Sequence, residues 1–289
     1  MGEQTAIEWT DHTFNPWWGC TKVSDGCKNC YALTLDRRVG GDHWGPGKPR
    51  RTFGDKHWNE PLKWDRKAAA DGVRRRVFCA SMADVFDDKA PAGARDRLWS
   101  LIEATPNLEW LLLTKRPEAF TTTMPPRHLI PNIRLGTTVE HQQAANERLP
   151  HLATQGVCGW KTFVSYEPAL GPVNWRPWIA PGGAIHWVVA GGESGPGARP
   201  AHPDWFRQCR DACTKAGVPF LFKQWGEWGM AAPGNRIDEG KWMHPNGNTF
   251  GPVEGEPFYP APLSTHLVRV GKKKAGRLLD GREHLEFPA

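Results

Sequence analysis

The sequence has no long apolar run, and no stretch approaches the roughly 18 consecutive apolar residues of a membrane-spanning helix. Its first 14 residues lack the basic segment and apolar core of a secretory signal peptide, so we expect none. The seven cysteines are odd in number and do not follow the spacing of a secreted disulfide framework. These absences predict a cytoplasmic protein with reduced thiols and no membrane association.

Length and charge set broad limits on the protein. A chain of 289 residues can form one large domain or two small ones, and (β/α) barrels reach this size as single domains. The net charge of +6 is compatible with a polyanionic partner but does not require one. The 16 tryptophans favour packing in the core and loops, with stacking on nucleobases as the alternative.

Six short apolar runs predict the strands of a parallel sheet. They span residues 75–81, 108–115, 133–140, 161–167, 185–193 and 218–224. Each run is nearly continuously apolar, which is typical of strands covered on both faces. A seventh strand would lead into a cysteine-rich loop, and helical patterns lie between the runs, one of them interrupted by Pro150. This alternation predicts an α/β fold, a complete or partial TIM-type parallel (β/α) barrel.

Two regions depart from the alternating pattern. Residues 40–66 are rich in Gly, Pro and Trp and predict a long ordered insertion. Residues 225–289 are again rich in Gly and Pro and have weak periodicity. We therefore predict a barrel over residues 1–224 that carries the insertion, and a C-terminal extension over residues 225–289 that packs on the barrel.

Polar or glycine residues follow each apolar run at its C-terminal end. They are Ser81, Asp84, Lys115, Glu140, Glu167, Gly191, Gly192, Glu193 and Lys223. In a (β/α) barrel these strand ends meet at one face, which carries the active site. Loops begin at strand ends in any protein, so one polar end proves nothing, whereas six together favour a binding site. The Gly-Gly-Glu-Ser stretch does not match the dinucleotide fingerprint G-x-G-x-x-G.

The most specific feature is the segment NPWWGCTKVSDGCKNCYA, in which Cys20, Cys27 and Cys30 have the spacing C-x6-C-x2-C. One explanation is a zinc ion held by these cysteines and a histidine, either His12 or His43. Another is a [4Fe–4S] cluster held by three cysteines, with one iron free to bind a small molecule. A chance grouping of core cysteines is disfavoured, because glycines flank the loop.

A three-cysteine loop after the first strand, followed by βα units, resembles the radical S-adenosylmethionine (SAM) superfamily. The common spacing there is C-x3-C-x2-C, so the first gap is wider in this chain. A closer resemblance covers nearly the whole chain and includes CASMADVF, LLLTKRP, LGTTVE, SYEPALGPV, GGESGPGARP, PFLFKQWGEW and KKKAGRLLDGREHLEFP. These segments are similar to a largely uncharacterised, phage- and prophage-encoded family grouped near the radical SAM proteins. Spore photoproduct lyase, a DNA-repair enzyme, is a distant relative of that family.

The resemblance implies a role for each candidate residue. Cys20, Cys27 and Cys30 would bind three irons of a [4Fe–4S] cluster, and the fourth iron would bind SAM. Ser81 and Asp84 would contact the methionyl ammonium of SAM. Glu140 and Glu167 would bind ribose hydroxyls or the substrate. The adenosine would be bounded by Gly191, Gly192 and Glu193.

Three further residues would take part in the chemistry. Lys115 and Lys223 would meet a carboxylate or a phosphate of SAM or of an anionic substrate. Cys79 is the candidate hydrogen-atom donor, since a lyase-type reaction would need a thiol. A reductant of the flavodoxin or ferredoxin type would supply the electron.

The leading hypothesis is a radical SAM enzyme that generates a 5′-deoxyadenosyl radical to modify or repair nucleic acid or a nucleotide. Basic clusters at residues 37–38, 48–51, 74–76 and 272–274 would follow a phosphate backbone, while Trp44 and Trp58 stack on bases. One alternative is a nucleic-acid-binding protein stabilised by zinc or by a cluster, without SAM chemistry. The other is a radical SAM enzyme that acts on a peptide or a small metabolite.

Overall fold

The computed structural model describes residues 5, 7–252 and 258–288. Seven strands share one sheet: β1 His12–Thr13, β2 Arg75–Cys79, β3 Leu108–Thr114, β4 Ile133–Thr138, β5 Lys161–Tyr166, β6 Val188–Gly191 and β7 Phe220–Gln224. Their order in the sheet follows the chain, and the strands are parallel. The predicted α/β class and all seven predicted strands are confirmed. Seven strands in this order are consistent with a partial TIM-type barrel.

Helices and short 3₁₀ turns connect these strands. They are a turn at Asp25–Cys27, α1 Tyr31–Arg38, α2 Asp55–Trp58, α3 Glu60–Asp71, α4 Ala94–Glu103, a turn at Pro117–Ala119, α5 Phe120–Thr123, α6 Gln142–Val157, α7 Pro203–Ala216 and α8 Lys272–Ala275. The described chain contains no helix with the length and hydropathy that crossing a membrane requires.

Pro150 does not interrupt α6, contrary to the expectation from sequence. The helix continues through this residue to Val157. Pro150 lies on the exposed face of the helix. There, water can bond the backbone carbonyl that loses its amide partner, so the lost hydrogen bond is less costly than in a buried turn.

The second half of residues 40–66 is helical. In α3 the buried Trp64 and Ala68 face the sheet, and the helix contacts β2 and β3. The helix therefore serves as a crossover helix between β1 and β2. Trp58 is only 5% exposed, so the expectation that its ring stacks on bases is wrong. Trp44 is 9% exposed and lines a cavity together with the three cysteines, so its stacking stays a prediction. The burial of these tryptophans in the protein core accounts for the tryptophan-rich composition of this stretch.

The chain divides into two compact units. One comprises Met1–Thr138 and Pro150–Phe163, and the other comprises Val139–Leu149 and Val164–Ala289. The first unit contains β1 to β4 and has an aromatic core, in which Phe14 packs edge-on against Trp110 at 5.7 Å. The predicted barrel boundary at residue 224 stays a prediction.

The second unit carries a smaller, antiparallel sheet within the predicted C-terminal extension. Its strands are β8 Trp228–Met230, β9 Lys241–Met243, β10 Thr249–Phe250 and β11 Thr265–Arg269, in the order β10-β9-β11-β8. The chain then returns to β7, where Leu285 bridges Leu221 in antiparallel fashion and the amide of Phe222 donates to the carbonyl of His284 at 2.9 Å. Residues 284–286 thus lie beside β7.

Asp280 is expected to give the second unit a pH-dependent stability. Arg207 and Arg210 of α7 donate to its two carboxylate oxygens at 2.7 and 2.5 Å. These hydrogen bonds outweigh partial burial and lower the pKa of Asp280 to about 2. The stabilisation is complete above the unfolded pKa of about 4 and is lost as the pH falls towards the folded pKa.

The test compares the parent protein with Asp280→Asn by thermal unfolding at a series of pH values. Asn tolerates the left-handed backbone that Asp280 adopts, with φ of 54°. We expect a difference in Tm near pH 6, equivalent to less than about 1 kcal/mol because the pair is partly exposed, which shrinks towards pH 2. A difference that stayed constant with pH would contradict this assignment.

Candidate functional site

A cavity of about 150 Å³ lies in the first unit. It is formed by the loop after β1 and by the C-terminal ends of β2, β3 and β4. Its lining includes Cys20, Thr21, Lys22, Val23, Cys27, Cys30, Tyr31, Ala80, Ser81, Asp84, Thr114, Lys115, Arg116 and Thr138. Six residues predicted from sequence are therefore brought together here: the three cysteines, Ser81, Asp84 and Lys115.

Packing under the cysteine loop fixes its position. Cys20 and Cys30 pack against a buried group formed by Trp18, Ala32, Trp44 and Met82. Before Cys20, Gly19 has φ of +114°, and a Cβ there would lie 2.2 Å from the carbonyl oxygen of His43. Only glycine fits this close approach without a shift of the backbone. The loop therefore enters the cavity from a rigid base.

The environment of Cys20 favours the protonated thiol. Burial, with the charge of Asp84 adding to it, raises the pKa of Cys20 to about 12. Arg116 opposes this effect, since its Nη1 donates to Sγ of Cys20 at 3.6 Å. Cysteine binds metals as the thiolate, so binding of a metal by Cys20 would release a proton from its thiol.

The environment of Cys27 favours the thiolate instead. Burial alone would raise the pKa of this thiol. The positive charge of Lys115 and hydrogen bonds from Val23 and Ser24 outweigh burial and lower the pKa of Cys27. Sγ of Cys27 lies 3.6 Å from Oγ of Ser24. A lowered thiol pKa is typical of reactive and metal-binding cysteines.

Arg116, which follows β3, ties the cavity to the cysteine loop. Its Nη1 donates to Oδ2 of Asp84 at 3.0 Å, and its Nη2 donates to the carbonyl of Thr21 at 2.7 Å. Oδ1 of Asp84 also accepts from Oγ1 of Thr114 at 2.7 Å and from the amide of Phe86 at 3.0 Å. Asp84 is thus engaged within the protein and positions Arg116. Its predicted contact with SAM stays a prediction.

A second buried pair holds the same loop. Nη2 of Arg50 lies 2.7 Å from Oδ2 of Asp87 and also donates to Oγ1 of Thr21 at 2.9 Å. Nη2 of Arg95 donates to the carbonyl of Asp87 at 2.7 Å. Sequence reasoning missed the roles of Asp87 and Arg116. It placed Arg50 in the cluster at residues 48–51 that would follow a phosphate backbone, and this is wrong for Arg50, because its side chain is buried and paired with Asp87. The signal was present in the acids of SMADVFD, because acidic residues in a mainly apolar segment need buried cationic partners.

Ser81 and Lys115, at the ends of β2 and β3, add polar groups to the cavity. Nδ2 of Asn15 donates to Oγ of Ser81 at 3.1 Å, and the hydroxyl of Tyr31 donates to the carbonyl of Ser81 at 2.8 Å. Nζ of Lys115 donates to Oγ1 of Thr138 at 3.4 Å. These contacts hold Ser81 and Lys115 at the wall of the cavity, where a ligand would meet a hydroxyl and an ammonium group.

Cys79 lies outside the described lining of this cavity. Phe78 and Ala80, on either side of it, do line the cavity. Successive side chains of a strand alternate between faces, so the thiol of Cys79 points to the other face. The thiol is fully buried, which raises its pKa above the usual value. Its role as hydrogen-atom donor stays a prediction.

Both histidines considered as a fourth zinc ligand have other contacts in the first unit. Nδ1 of His43 lies 2.7 Å from Oδ1 of the buried Asp36, and the ring of His12 stacks on Trp64 at 4.5 Å. Neither histidine belongs to the described cavity lining. In the part of the chain that the structure describes, no three His, Cys, Asp or Glu side chains are grouped so that they could hold a metal ion.

A second polar group lies in the second unit, at the ends of β5 to β7. Nζ of Lys223 lies 2.8 Å from Oε1 of Glu167, and Nε2 of Gln224 donates to the same oxygen at 3.3 Å and to Oγ of Ser194 at 3.0 Å. A Cβ on Gly191 would lie 3.4 Å from the carboxyl group of Glu167. The structure thus brings Glu167, Gly191 and Lys223 together and adds Ser194 and Gln224.

The other two predicted carboxylates are paired within the second unit. Arg199 donates two hydrogen bonds to the carboxylate of Glu193, from Nη2 to Oε1 at 2.6 Å and from Nε to Oε2 at 2.8 Å. Glu140 is fully buried and accepts from Nη1 of Arg148 at 2.7 Å. These ion pairs account for both acids within the fold, so contacts of Glu140 and Glu193 with SAM stay predictions.

A family model described as "Protein of unknown function (DUF5131)" matches residues 4–288. The chain belongs to this family. A comparison with curated proteins finds no match.

Among solved structures, the chain is similar to variants of spore photoproduct lyase. A cysteine-to-serine mutant matches with a TM-score of 0.45 and 12% identity, over 83% of this chain and 57% of that chain. A double mutant with bound AdoMet and dinucleoside spore photoproduct matches with a TM-score of 0.45 and 12% identity, over 78% and 61%. A cysteine-to-alanine mutant has a TM-score of 0.46 and 12% identity, over 93% and 73%. This DUF5131 chain thus spans less than two thirds of the first two structures.

The three cysteines of this DUF5131 protein are the ligand type that a [4Fe–4S] cluster needs, although the described residues do not form a grouped metal site. Three free, half-buried thiols line one cavity. The cations of Lys115 and Arg116 lie beside them and would offset the negative charge of the thiolates. Structural zinc sites, by contrast, are closed by four protein ligands. Cys20, Cys27 and Cys30 would hold such a cluster and leave one iron without a protein ligand.

Gly192 of this family member is expected to be intolerant of alanine. A Cβ at this position would lie 1.9 Å from the carbonyl oxygen of Trp225, so the backbone would have to move. We expect Gly192→Ala to lower the free energy of unfolding by about 1–3 kcal/mol. Its contact with adenosine stays a prediction.

Urea unfolding of Gly192→Ala and of Gly251→Ala tests this expectation. Nothing described lies within 4 Å of a Cβ at Gly251, so this control should change stability by less than about 0.5 kcal/mol. Equal midpoints for the two variants would show that the close approach at Gly192 is not required.

Proposed function

We propose that the chain is a radical SAM enzyme that holds a [4Fe–4S] cluster with Cys20, Cys27 and Cys30 and acts on nucleic acid or a nucleotide. The observation that carries the proposal is that these three thiols line one cavity with the polar ends of parallel strands. A cluster held by these cysteines would, together with SAM, supply the 5′-deoxyadenosyl radical chemistry that takes a hydrogen atom from a substrate.

In this proposal, residues of the first unit orient the cysteine loop and bind an anionic group of SAM or of the substrate. Arg116 keeps the cysteine loop in place through Thr21 and Asp84, so the three thiols stay oriented toward the cavity. The ammonium of Lys115 binds a carboxylate or a phosphate and favours the thiolate of Cys27. The loop is packed on buried tryptophans, which exclude water from beneath the site.

Residues of the second unit bind SAM or the substrate in this proposal. Lys223 provides a cation for an anionic group, and Glu167 accepts hydrogen bonds from ribose or substrate hydroxyls. Both side chains are about one-fifth exposed, at 22% and 19%, so a ligand can reach them. Gly191, which lies beside Glu167, leaves room for the backbone of the site to approach that ligand.

The nucleic-acid substrate is supported by the net charge of +6, which suits a polyanionic partner. The phage origin itself stays a prediction, as do the cytoplasmic location and the identity of the reductant. A salt-dependent affinity for a DNA or RNA oligonucleotide would support this substrate class. Affinity that does not depend on salt would favour a peptide or a small metabolite.

Anaerobic reconstitution with iron and sulfide tests the proposed function. We expect about four irons per chain and, after reduction by dithionite with SAM, release of 5′-deoxyadenosine. Iron is measured by a colorimetric assay and the nucleoside by liquid chromatography. Stoichiometric zinc with intact SAM would overturn the proposal and favour the zinc-stabilised binding protein. A cluster without SAM cleavage would favour a cluster-stabilised binding protein.

A further inference from the structure

A buried glutamine holds together the polar group at the ends of β5 to β7. Gln224 is 5% exposed, and its Nε2 donates to Oε1 of Glu167 and to Oγ of Ser194. These contacts fix the orientation of the amide, because a reversed amide would place Oε1 against the carboxylate oxygen of Glu167. In the fixed orientation, Oε1 of Gln224 is buried and has no hydrogen-bond donor among the described residues. A buried, unpaired carbonyl destabilises a fold, so this arrangement points to a role other than stability.

The same contacts leave three polar atoms for a ligand. Oε1 of Glu167 accepts from both Lys223 and Gln224, while Oε2 accepts from no described residue. The ammonium of Lys223 has two further protons to donate. Oγ of Ser194 accepts from Gln224, so the proton of this hydroxyl is available as well. Along this chain of contacts, a carboxylate acceptor lies between an ammonium donor and a hydroxyl donor.

Contacts of the neighbouring peptide groups fix the position of Ser194. The amide of Gly195, the next residue, donates to Oε1 of Glu227 at 3.0 Å. The carbonyl of Gly195 accepts from Nη2 of Arg269 at 2.8 Å. A donor held on a rigid backbone discriminates between ligands, because it cannot shift to suit a ligand with the wrong pattern.

We propose that this polar group recognises the Watson–Crick edge of an unpaired keto base, which is a thymine, uracil or guanine. In each of these bases a ring N–H stands beside a carbonyl group. Oε2 of Glu167 accepts from the ring N–H, and Lys223 donates to the adjacent carbonyl oxygen. In thymine and uracil a second carbonyl, on the other side of the N–H, accepts from Ser194. The inference rests on the proposed function, because it names the base on which a nucleic-acid or nucleotide enzyme would act.

The same pattern of donors and acceptors disfavours the amino bases. Adenine and cytosine carry a ring nitrogen without a proton at the corresponding position, and its lone pair would face Oε2 of Glu167. A site built to bond an N–H rejects an analogue that lacks it, since the acceptor of the site is then left unpaired. SAM contains adenine, so this group is assigned to the substrate and not to SAM. A base pair occupies the Watson–Crick edge, so the base must come from a single strand or be turned out of a duplex.

The test measures oligonucleotide binding to the full-length chain by fluorescence anisotropy at one salt concentration. Labelled single strands of about ten nucleotides contain only thymine, only cytosine or only 3-methylthymine. The methyl group replaces the ring N–H and leaves both carbonyls in place. Strands of hypoxanthine and of adenine make the same comparison for purines. Thymidine and cytidine 5′-monophosphates, added as competitors, separate a nucleotide ligand from a strand.

We expect the thymine strand to bind about tenfold more tightly than the cytosine and 3-methylthymine strands, and hypoxanthine to bind more tightly than adenine. Glu167→Gln keeps an acceptor for Lys223 and Gln224 but puts an NH₂ donor in the place of Oε2. This variant should therefore prefer cytosine to thymine. The matched control Glu103→Gln removes an exposed carboxylate at the end of α4 and should keep the preference of the parent.

Equal affinity of the parent for the thymine, cytosine and 3-methylthymine strands would overturn the inference and leave the proposed function standing. Displacement of the thymine strand by SAM would also overturn it. If Glu167→Gln did not fold, the comparison of thymine with 3-methylthymine in the parent would still decide. Failure to bind any strand or nucleotide would overturn both the inference and the nucleic-acid substrate, whereas release of 5′-deoxyadenosine tests the radical chemistry separately.

Discussion

Replacing Cys30 with alanine is expected to lower the iron content of the reconstituted protein from about four atoms per chain to background. Formation of 5′-deoxyadenosine should fall at least about a hundredfold, because two thiolates cannot hold the cluster in the orientation that SAM needs. Cys30 lines the cavity and packs against the buried tryptophans below it, so its thiol has a fixed position. Iron analysis and the absorbance of the cluster near 400 nm, together with product assay, measure the loss.

Cys158→Ala is the matched control for this variant. Cys158 is an exposed, free cysteine that follows α6 and lies outside the described cavity lining. Its removal should leave iron content and activity unchanged. Full iron loading in Cys30→Ala would contradict the ligand assignment, and so would equal losses in the two variants.

Arg116→Met is expected to lower the free energy of unfolding by about 3–5 kcal/mol, which corresponds to a fall in Tm of roughly 10 °C. The substitution keeps the length of the side chain but leaves the buried carboxylate of Asp84 without its cation. It also frees the carbonyl of Thr21, so the cysteine loop loses its tie to the end of β3. Iron loading should fall in parallel. Calorimetry of the unloaded protein separates the structural effect from the loss of iron.

Two further variants sharpen this test. Arg116→Lys keeps the charge but cannot bond Asp84 and Thr21 at once, so we expect an intermediate loss of stability. Arg66→Met changes an exposed arginine of α3 and should alter stability by less than about 0.5 kcal/mol. If Arg116→Met were as stable as Arg66→Met, the network around Asp84 would not hold the loop.

The parallel sheet could be predicted because most of its strands correspond to single, continuous apolar segments of the sequence. The run LEWLLL is buried on both faces as β3, which is why it has no alternation. The end of each strand could be predicted as well, because the apolar segment stops there. From these strand ends, Ser81, Asp84 and Lys115 could be predicted to lie near the cysteines. The pattern gives the end of each strand but not the contacts that its polar residues make.

Those contacts could not be predicted, because they join residues that are far apart in sequence. Asp84 meets Arg116, 32 residues later, and Arg50 meets Asp87, 37 residues later. The acidic residues therefore suggested ligand contacts, whereas much of their hydrogen bonding is satisfied within the protein. The small antiparallel sheet was missed for another reason. Its strands have two to five residues, which is too short for a period to emerge.

The chain segment that returns to β7 also bears on how the protein avoids self-association. β7 is the last strand in the order of the large sheet, and it carries the apolar run Phe220, Leu221 and Phe222. An uncovered edge of this kind is a template on which another chain can add a strand. The backbone of residues 284–286 pairs with this edge of β7, so this segment protects the edge from pairing with a strand of another molecule. A shortened chain that lacked this segment would expose an aggregation-prone edge.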